Sequence, residues 1–390
     1  MTRITSIILF FCISFVTISA KPPKPPKGYR WVINAQFSDE FDGNELDQSK
    51  WMNEFNGGWK GRQPAWFNPE AVSVSDGNLK IKSGALSKTK KFGKAEYTMY
   101  GGAVSSITKE AHFGYYECKA KASKIAMSTT FWMSNDKVPF TENDDCETDS
   151  YSQELDIQEA VGGSTTFEKF RNGMNSNTHY RYVKCGEKKE TFISKGSDVK
   201  LKSNVYDAYH IYAAWWKDAH EVTFYANDEE SETVQFRTDI SKKPFDRPMQ
   251  INMVTETYNW QPAPSVADLE NPEINTAYYD WVRSYSLVPI NKKTKCSYAA
   301  QVFEANVEAK TQLQDATLKL DYTYEANEDC KLYISVNNGD ATLKSIKLKA
   351  YKGLGNDELE LKLKSSSAKQ VAIKLVSNSG KVLIEKDFNI

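Results

Sequence analysis

The chain reads as all-β, on three observations. Apolar and polar residues alternate with period two from residue 32 to about residue 289, turn-forming pairs interrupt that alternation at short intervals, and no helical periodicity of useful length appears. Taken in order, Val72-Ser73-Val74 and Leu79-Lys80-Ile81 flank Asp76-Gly77 and predict a hairpin. Residues 115–122, 153–159, 221–225 and 281–287 continue the alternation, with Asp42-Gly43, Gly101-Gly102 and Gly162-Gly163 as punctuation. Many short strands of this kind predict a sandwich or barrel.

Composition changes after Val288-Pro289-Ile290-Asn291-Lys292-Lys293: Trp disappears, while Lys, Leu, Ser and Ala rise. Alternation persists in Thr317-Leu318-Lys319-Leu320-Asp321-Tyr322 and in Leu359-Glu360-Leu361-Lys362-Leu363. The expected organisation is a large β domain over 29–290 and a small β-sandwich over 291–390. The small domain is expected to be separable, serving either as a spacer or as a carbohydrate-binding module.

Arg3, an apolar run over 7–16 and Ile18-Ser19-Ala20 have the order of an export signal, assigned to residues 1–20. Lys21-Pro22-Pro23-Lys24-Pro25-Pro26-Lys27 reads as a stiff polar linker over 21–28. The apolar run is too short to span a bilayer, so the expectation is a secreted protein, extracellular or periplasmic, with no membrane span. Without Cys12 the cysteines number five: Cys118, Cys146, Cys185, Cys296 and Cys330. Export permits bridges between Cys146 and Cys185 and between Cys296 and Cys330, with Cys118 a buried thiol. Fifty basic and 51 acidic residues give a net charge of -1, which argues against a nucleic-acid partner.

The chemistry concentrates in Gln153-Glu154-Leu155-Asp156-Ile157-Gln158-Glu159. On a strand Glu154 and Asp156 share one face, and Leu155 and Ile157 the other. Glu159 stands five residues from Glu154, so a regular strand would turn it away. A bulge at Ile157-Gln158 would bring it back. Like charges crowded on one face cost stability, so folding alone does not call for them. Paired carboxylates are what glycosidic hydrolysis requires.

With Gly114-Tyr115-Tyr116-Glu117 and residues 128–132 ahead of it, this segment resembles the catalytic region of glycoside hydrolase family 16. The resemblance runs from about Phe37 to Leu287. It includes Phe37-Ser38-Asp39-Glu40-Phe41-Asp42-Gly43, Val72-Ser73-Val74-Ser75-Asp76-Gly77-Asn78-Leu79 and Tyr279-Asp280-Trp281-Val282-Arg283. It implies a jelly-roll with a concave substrate cleft, Glu154 as nucleophile, Glu159 as acid/base, and Asp156 between them. No cofactor is expected for catalysis. Asp280 resembles a position that helps hold a structural calcium.

Trp59-Lys60-Gly61-Arg62-Gln63-Pro64-Ala65-Trp66-Phe67 resembles the agarase and porphyranase subgroup, where such a stretch lines the non-reducing side of the cleft. Arg62 can then donate to hydroxyls or a sulfate, and Trp59 or Trp66 can stack on a sugar. Trp132, His179, Glu256 and Trp260 complete the expected substrate contacts. In that subgroup porphyranases carry a further Arg on the strand of Trp132, and here the position reads Ser134. The expected activity is therefore a β-agarase: retaining, endo-acting, monomeric, cleaving β-1,4-galactosidic bonds of agarose. A β-porphyranase acting on sulfated porphyran is the alternative, and a non-catalytic polysaccharide-binding protein the third reading.

Overall fold

The computed structural model describes residues 21–139, 150–238, 241–295 and 297–390. The export signal over 1–20, Cys146 and Cys296 therefore lie outside the described residues. Two sheets, antiparallel apart from the parallel pairing of Ala65–Phe67 with Ala95–Ser106, form the large domain, and their facing sides are filled by the apolar half of each alternating strand. A nine-stranded sheet runs in the order Thr191–Lys200, Gly173–Val183, Ser150–Val161, Ser128–Ser134, Gln250–Thr255, Ala95–Ser106, Trp51–Met52. Ala65–Phe67 and Gly84–Phe92 pair with Ala95–Ser106 as well. The outer sheet includes His210–Trp216, Gly114–Lys121, Thr276–Pro289 and Tyr29–Ile33, in that order. Leu155, Ile157, Phe131, Trp216 and Phe224 meet in the core between them, each at most 1% exposed. This is the expected jelly-roll, with the cleft on the free face of the nine-stranded sheet.

The C-terminal domain is a second, smaller sandwich. One face comes from Asn306–Gln314, Thr317–Ala326 and Gly353–Lys362, the other from a four-stranded sheet around Cys330–Asn338 and Gln370–Ser377. Leu320, Ile334, Val371 and Ile373 are fully buried between them. It is not tethered as a free module. Tyr29–Ile33 pairs with Thr276–Pro289 on one edge and with Gly353–Lys362 on the other, so a single sheet runs through both domains.

Two sequence expectations change as a result. Residues 21–28 lie along the small domain. Asn356 Nδ2 donates to Pro25 O at 2.7 Å, Trp31 Nε1 donates to Pro23 O at 2.7 Å, and Lys27 pairs with Asp321 at 2.8 Å. The proline-rich stretch is a strap, because its carbonyls find buried donors and its lysines find carboxylates. The connection after Pro289 also packs down. Tyr298 and Phe303 join Trp31, Tyr115 and Tyr285 in one apolar cluster on the outer sheet. Among the cysteines, Cys185 is disulfide-bonded, whereas Cys330 is a buried free thiol, so the expected Cys296–Cys330 bridge is absent. Cys118 is buried and free, as its alternation predicts.

Candidate active site

The acidic strand carries the predicted irregularity. Asp156 pairs with Trp132 and Gln158 pairs with Phe131, leaving Ile157 as the extra residue. Ahead of the bulge, Glu154 and Asp156 face the cleft while Leu155 and Ile157 sit in the core. After it the phase is reversed. Gln158 turns inward, where its Oε1 accepts from Asn175 N at 2.9 Å and its Nε2 donates to Gly173 O at 3.2 Å. Glu159 thereby reaches the cleft, and all three carboxylates line one cavity of about 490 Å³. A larger cavity of about 600 Å³, between Tyr29–Ile33 and the connection after Pro289, has neither an acid nor an aromatic ring on its walls.

Burial separates the roles of the carboxylates. Desolvation raises the Glu159 carboxyl above its ordinary range and the charge on Glu154 adds to this. Tyr258, His179 and Arg62 pull the other way. Tyr258 donates its hydroxyl to Glu159 Oε1 at 2.7 Å. Asp156 is raised still further, by burial first and then by Glu154 and Glu159. His179 Nε2 lies 3.1 Å from Asp156 Oδ2 and 3.9 Å from Glu154 Oε1, and burial lowers its pKa. Glu154 is more open, with Arg181 Nη1 donating to its Oε2 at 3.3 Å. A buried Glu159 with a raised pKa beside a more open, arginine-paired Glu154 is an arrangement that can supply the acid and the nucleophile of a double displacement at a sugar carbon.

The recognition residues fall into two groups. Trp59, Arg62, Trp132 and Glu256 line the same cavity as the carboxylates. Arg62 is set by its loop: Gly61 has φ +103°, and a Cβ there would stand 2.5 Å from Ala65 O. Arg62 Nε donates to Glu256 Oε2 at 3.2 Å, and its guanidinium lies 5.1 Å from the centre of the Tyr258 ring. Burial pushes the Glu256 carboxyl up to about 7 against the pull of Arg62. Phe55 stacks on Trp132 at 5.7 Å and meets Trp59 edge-on at 5.3 Å, completing an aromatic wall.

Three expected residues lie elsewhere. Trp66 alternates with Ala65 and Phe67, so it points away from the cavity; Lys90 Nζ sits 3.1 Å from its ring centre and Phe92 lies beside it. Trp260 does not line the cavity. It stacks on Tyr258 at 5.0 Å and meets Phe170 at a tilt at 4.7 Å, supporting the ring that holds Glu159. Asp280 is on the outer sheet, and Lys119 Nζ pairs with it at 2.6 Å. That lysine occupies the place of a counter-cation. Among the described residues the one group of three His, Cys, Asp or Glu ligands is Glu154, Asp156 and His179, away from Asp280.

Phe55, Tyr258, Arg181 and Lys137 also line the cavity without having been singled out in the sequence. Period two along Gly173–Val183 leads from His179 to Arg181, so a signal existed for that residue, whereas Glu256 and Tyr258 lie just past the end of Gln250–Thr255. Nothing local marks Phe55.

Comparison with known proteins agrees with this geometry. Residues 31–287 match the family model "Beta-porphyranase A-D, GH16 domain", and residues 304–379 match "Porphyranase-associated domain". β-Porphyranase E of Zobellia galactanivorans is 43% identical over 267 residues, covering 68% of this chain and 92% of that protein. A β-agarase of Phocaeicola plebeius is 26% identical over 69% of this chain and 89% of its own length. Among solved structures, the β-porphyranase BpGH16B from the human gut bacterium Bacteroides plebeius superposes with a TM-score of 0.64. It is 39% identical, covering 69% of this chain and 95% of that one. The bulged acidic strand, the jelly-roll that carries it and these matches place the chain in glycoside hydrolase family 16, as a glycoside hydrolase of the family's porphyranase branch.

Proposed function

We propose that this chain is a secreted, monomeric, endo-acting β-porphyranase that cleaves β-1,4-galactosidic bonds of sulfated porphyran with retention. The observation that carries the reading is the match of residues 31–287 to porphyranase sequences, at 43% identity against 26% for the agarase. The cavity supports it. Arg62, Arg181 and Lys137 line it; each pairs with a carboxylate (Glu256, Glu154 and Glu190), and their remaining N–H groups can donate to an anionic sugar.

This reverses the preference for neutral agarose, which rested on Ser134. A cation reaches the site from the neighbouring strand instead. Ser134 lies opposite Glu154, and Arg181 reaches Glu154 from the strand on the other side. The three carboxylates and the recognition residues beside them come from one chain, which is the support for a monomer. Export rests on the order of residues 1–20, and among the described residues no helix is long and apolar enough to cross a membrane.

In this mechanism Glu154 attacks the anomeric carbon as Glu159 protonates the leaving oxygen. Glu159, then ionised, takes a proton from water, which releases the sugar from Glu154. Asp156 and His179 fix the nucleophile's surroundings. The test is reducing-sugar release from porphyran, agarose, κ-carrageenan and laminarin, side by side, with proton NMR of the first product. Porphyran should be cut more than about tenfold faster than agarose, because a site built for a charged substituent loses most when it is missing. The first anomer should be β. Faster agarose hydrolysis would restore the agarase reading, and an initial α-anomer would remove the double displacement.

A further inference from the structure

An enzyme that cuts inside a chain must hold sugars on both sides of the scissile bond. The aromatic wall of Trp59, Phe55 and Trp132 lies to one side of the carboxylate strand, with Arg62 and Glu256. On the other side the sheet continues through two strands, Gly173–Val183 and Thr191–Lys200, the second being its last. Register shows what these strands present. Ser152 pairs with Arg181, which pairs with Phe192; in the neighbouring row Glu154 pairs with His179, which pairs with Ser194. Directly opposed residues share a face. Phe192 and Ser194 therefore stand on the face that carries Glu154.

Phe192 is 53% exposed, on the terminal strand of a sheet, where an apolar ring gains nothing from folding and invites edge-to-edge association. One exposed phenylalanine is ordinary on a surface. This one is tied to the reaction centre. Its ring is stacked with His179 at 5.2 Å and 20°, and the guanidinium of Arg181 lies 4.9 Å from its centre. The same His179 contacts Asp156 and the same Arg181 contacts Glu154.

The ground beside Phe192 is low. Ser194 Oγ donates to Asn177 Oδ1 at 3.0 Å, and Gly196 is closed to any Cβ, which would stand 2.5 Å from Ser176 O. A raised ring with a cation, above a floor of small polar groups, is a sugar-stacking arrangement. Strands lie about 4.8 Å apart, which puts Phe192 about 10 Å from the carboxylate strand, a short step along a bound chain.

We propose that Phe192, Arg181 and His179 form a second sugar-binding subsite, across the catalytic carboxylates from Trp59. There a ring of the galactan packs on Phe192 while Arg181 donates to its hydroxyl or sulfate oxygens. This rests on the galactan-hydrolase reading and extends it to residues that the family match does not assign.

The experiment is calorimetric titration of full-length Glu154→Gln, which cannot complete turnover, with porphyran- and agarose-derived octasaccharides. The titration is repeated after adding Phe192→Ala or Phe192→Trp. Loss of the ring should weaken octasaccharide binding about tenfold, with Trp restoring it. The melting temperature should change little, because about half of the residue is exposed. In the active enzyme Phe192→Ala should shift the position at which octasaccharides are cut. Binding within about twofold of the parent after Phe192→Ala, with the cleavage pattern unmoved, overturns the subsite and leaves the hydrolase reading standing. Failure of the parent Glu154→Gln protein to bind either octasaccharide overturns both.

Discussion

Tyr258 does for Glu159 what no charged neighbour could do without disturbing the reaction: it supplies one hydrogen bond to a carboxyl that must exchange a proton. Burial raises that carboxyl and the hydroxyl lowers it, so the two effects oppose each other at one oxygen. The other groups acting on it are Glu154, Asp156, His179 and Arg62. In the proposed mechanism Glu159 works as acid only while protonated, so the rate should fall as pH rises through its pKa. Tyr258→Phe removes a donor to the ionised form and raises that pKa further. The alkaline limb of kcat/KM should move up by about one pH unit, since a hydrogen bond to a charged group is worth about 1.5–3 kcal/mol. A variant slowed equally at every pH, with the limb unmoved, would show that Tyr258 only packs. The carboxylates were legible in the sequence because period two is a local rule. Arg181 obeys the same rule and Tyr258 lies past its strand's end, but the meaning of both comes from partners far along the chain, Tyr258 lying 99 residues from Glu159 and Arg181 27 from Glu154.

At the scale of elements, alternation identified which side of a strand is apolar but not what covers the other. Gly114–Lys121 shows the difference. Tyr116, Cys118 and Ala120 face the core as the pattern requires, while Tyr115 and Glu117 on the opposite side are buried too, at 1% and 0% exposure. The cover is the connection after Pro289, whose Tyr298 and Phe303 lie in the same cluster as Tyr115. Glu117 is thus a carboxyl without solvent. Tyr285 donates to its Oε1 at 2.8 Å, its Oε2 has no hydrogen-bond partner, and burial pushes it up to about 8. A group whose pKa rises on folding favours the folded state at low pH, and this contribution is lost as pH climbs from about 4.5 through about 8. The melting temperature should therefore fall between pH 5 and pH 9, and Glu117→Gln should flatten that fall by keeping a neutral side chain throughout. An unchanged slope in the variant would assign the fall to other groups. The bulge at Ile157 is the opposite case, an irregularity legible because Glu159 would otherwise be wasted in the core. Trp66 and Trp59 could not be told apart, since the turn that sets their phase is made by backbone bonds such as Phe67 N to Lys60 O.

The whole molecule departs most from what composition suggested. Loss of Trp after residue 290 suggested a boundary in sequence but concealed a shared sheet. Ending the chain at Asn291 would strip Tyr29–Ile33 of one neighbour and expose Trp31, which is 0% exposed. It would uncover Tyr115 and Tyr285 by removing Tyr298, Phe303 and Leu354. Arg30 would lose its bonds to Lys352 O at 2.6 Å and Thr294 Oγ1 at 3.0 Å, leaving a buried cation with part of its shell gone. Burying each large side chain contributes about 1.5–3 kcal/mol, so losing several such contacts at once approaches the 5–15 kcal/mol by which a domain is stable. The full chain should accordingly melt in one calorimetric transition, with both sandwiches unfolding together. The shortened chain should be recovered poorly in soluble form and melt well below it. Arg30→Ala in the full chain should lower the melting temperature while leaving KM for oligosaccharides unchanged, because Arg30 lies at the junction on the outer sheet and not in the cleft. A chain ending at Asn291 that keeps the full melting temperature and full activity would show that the shared sheet adds nothing and that the small domain is a passenger.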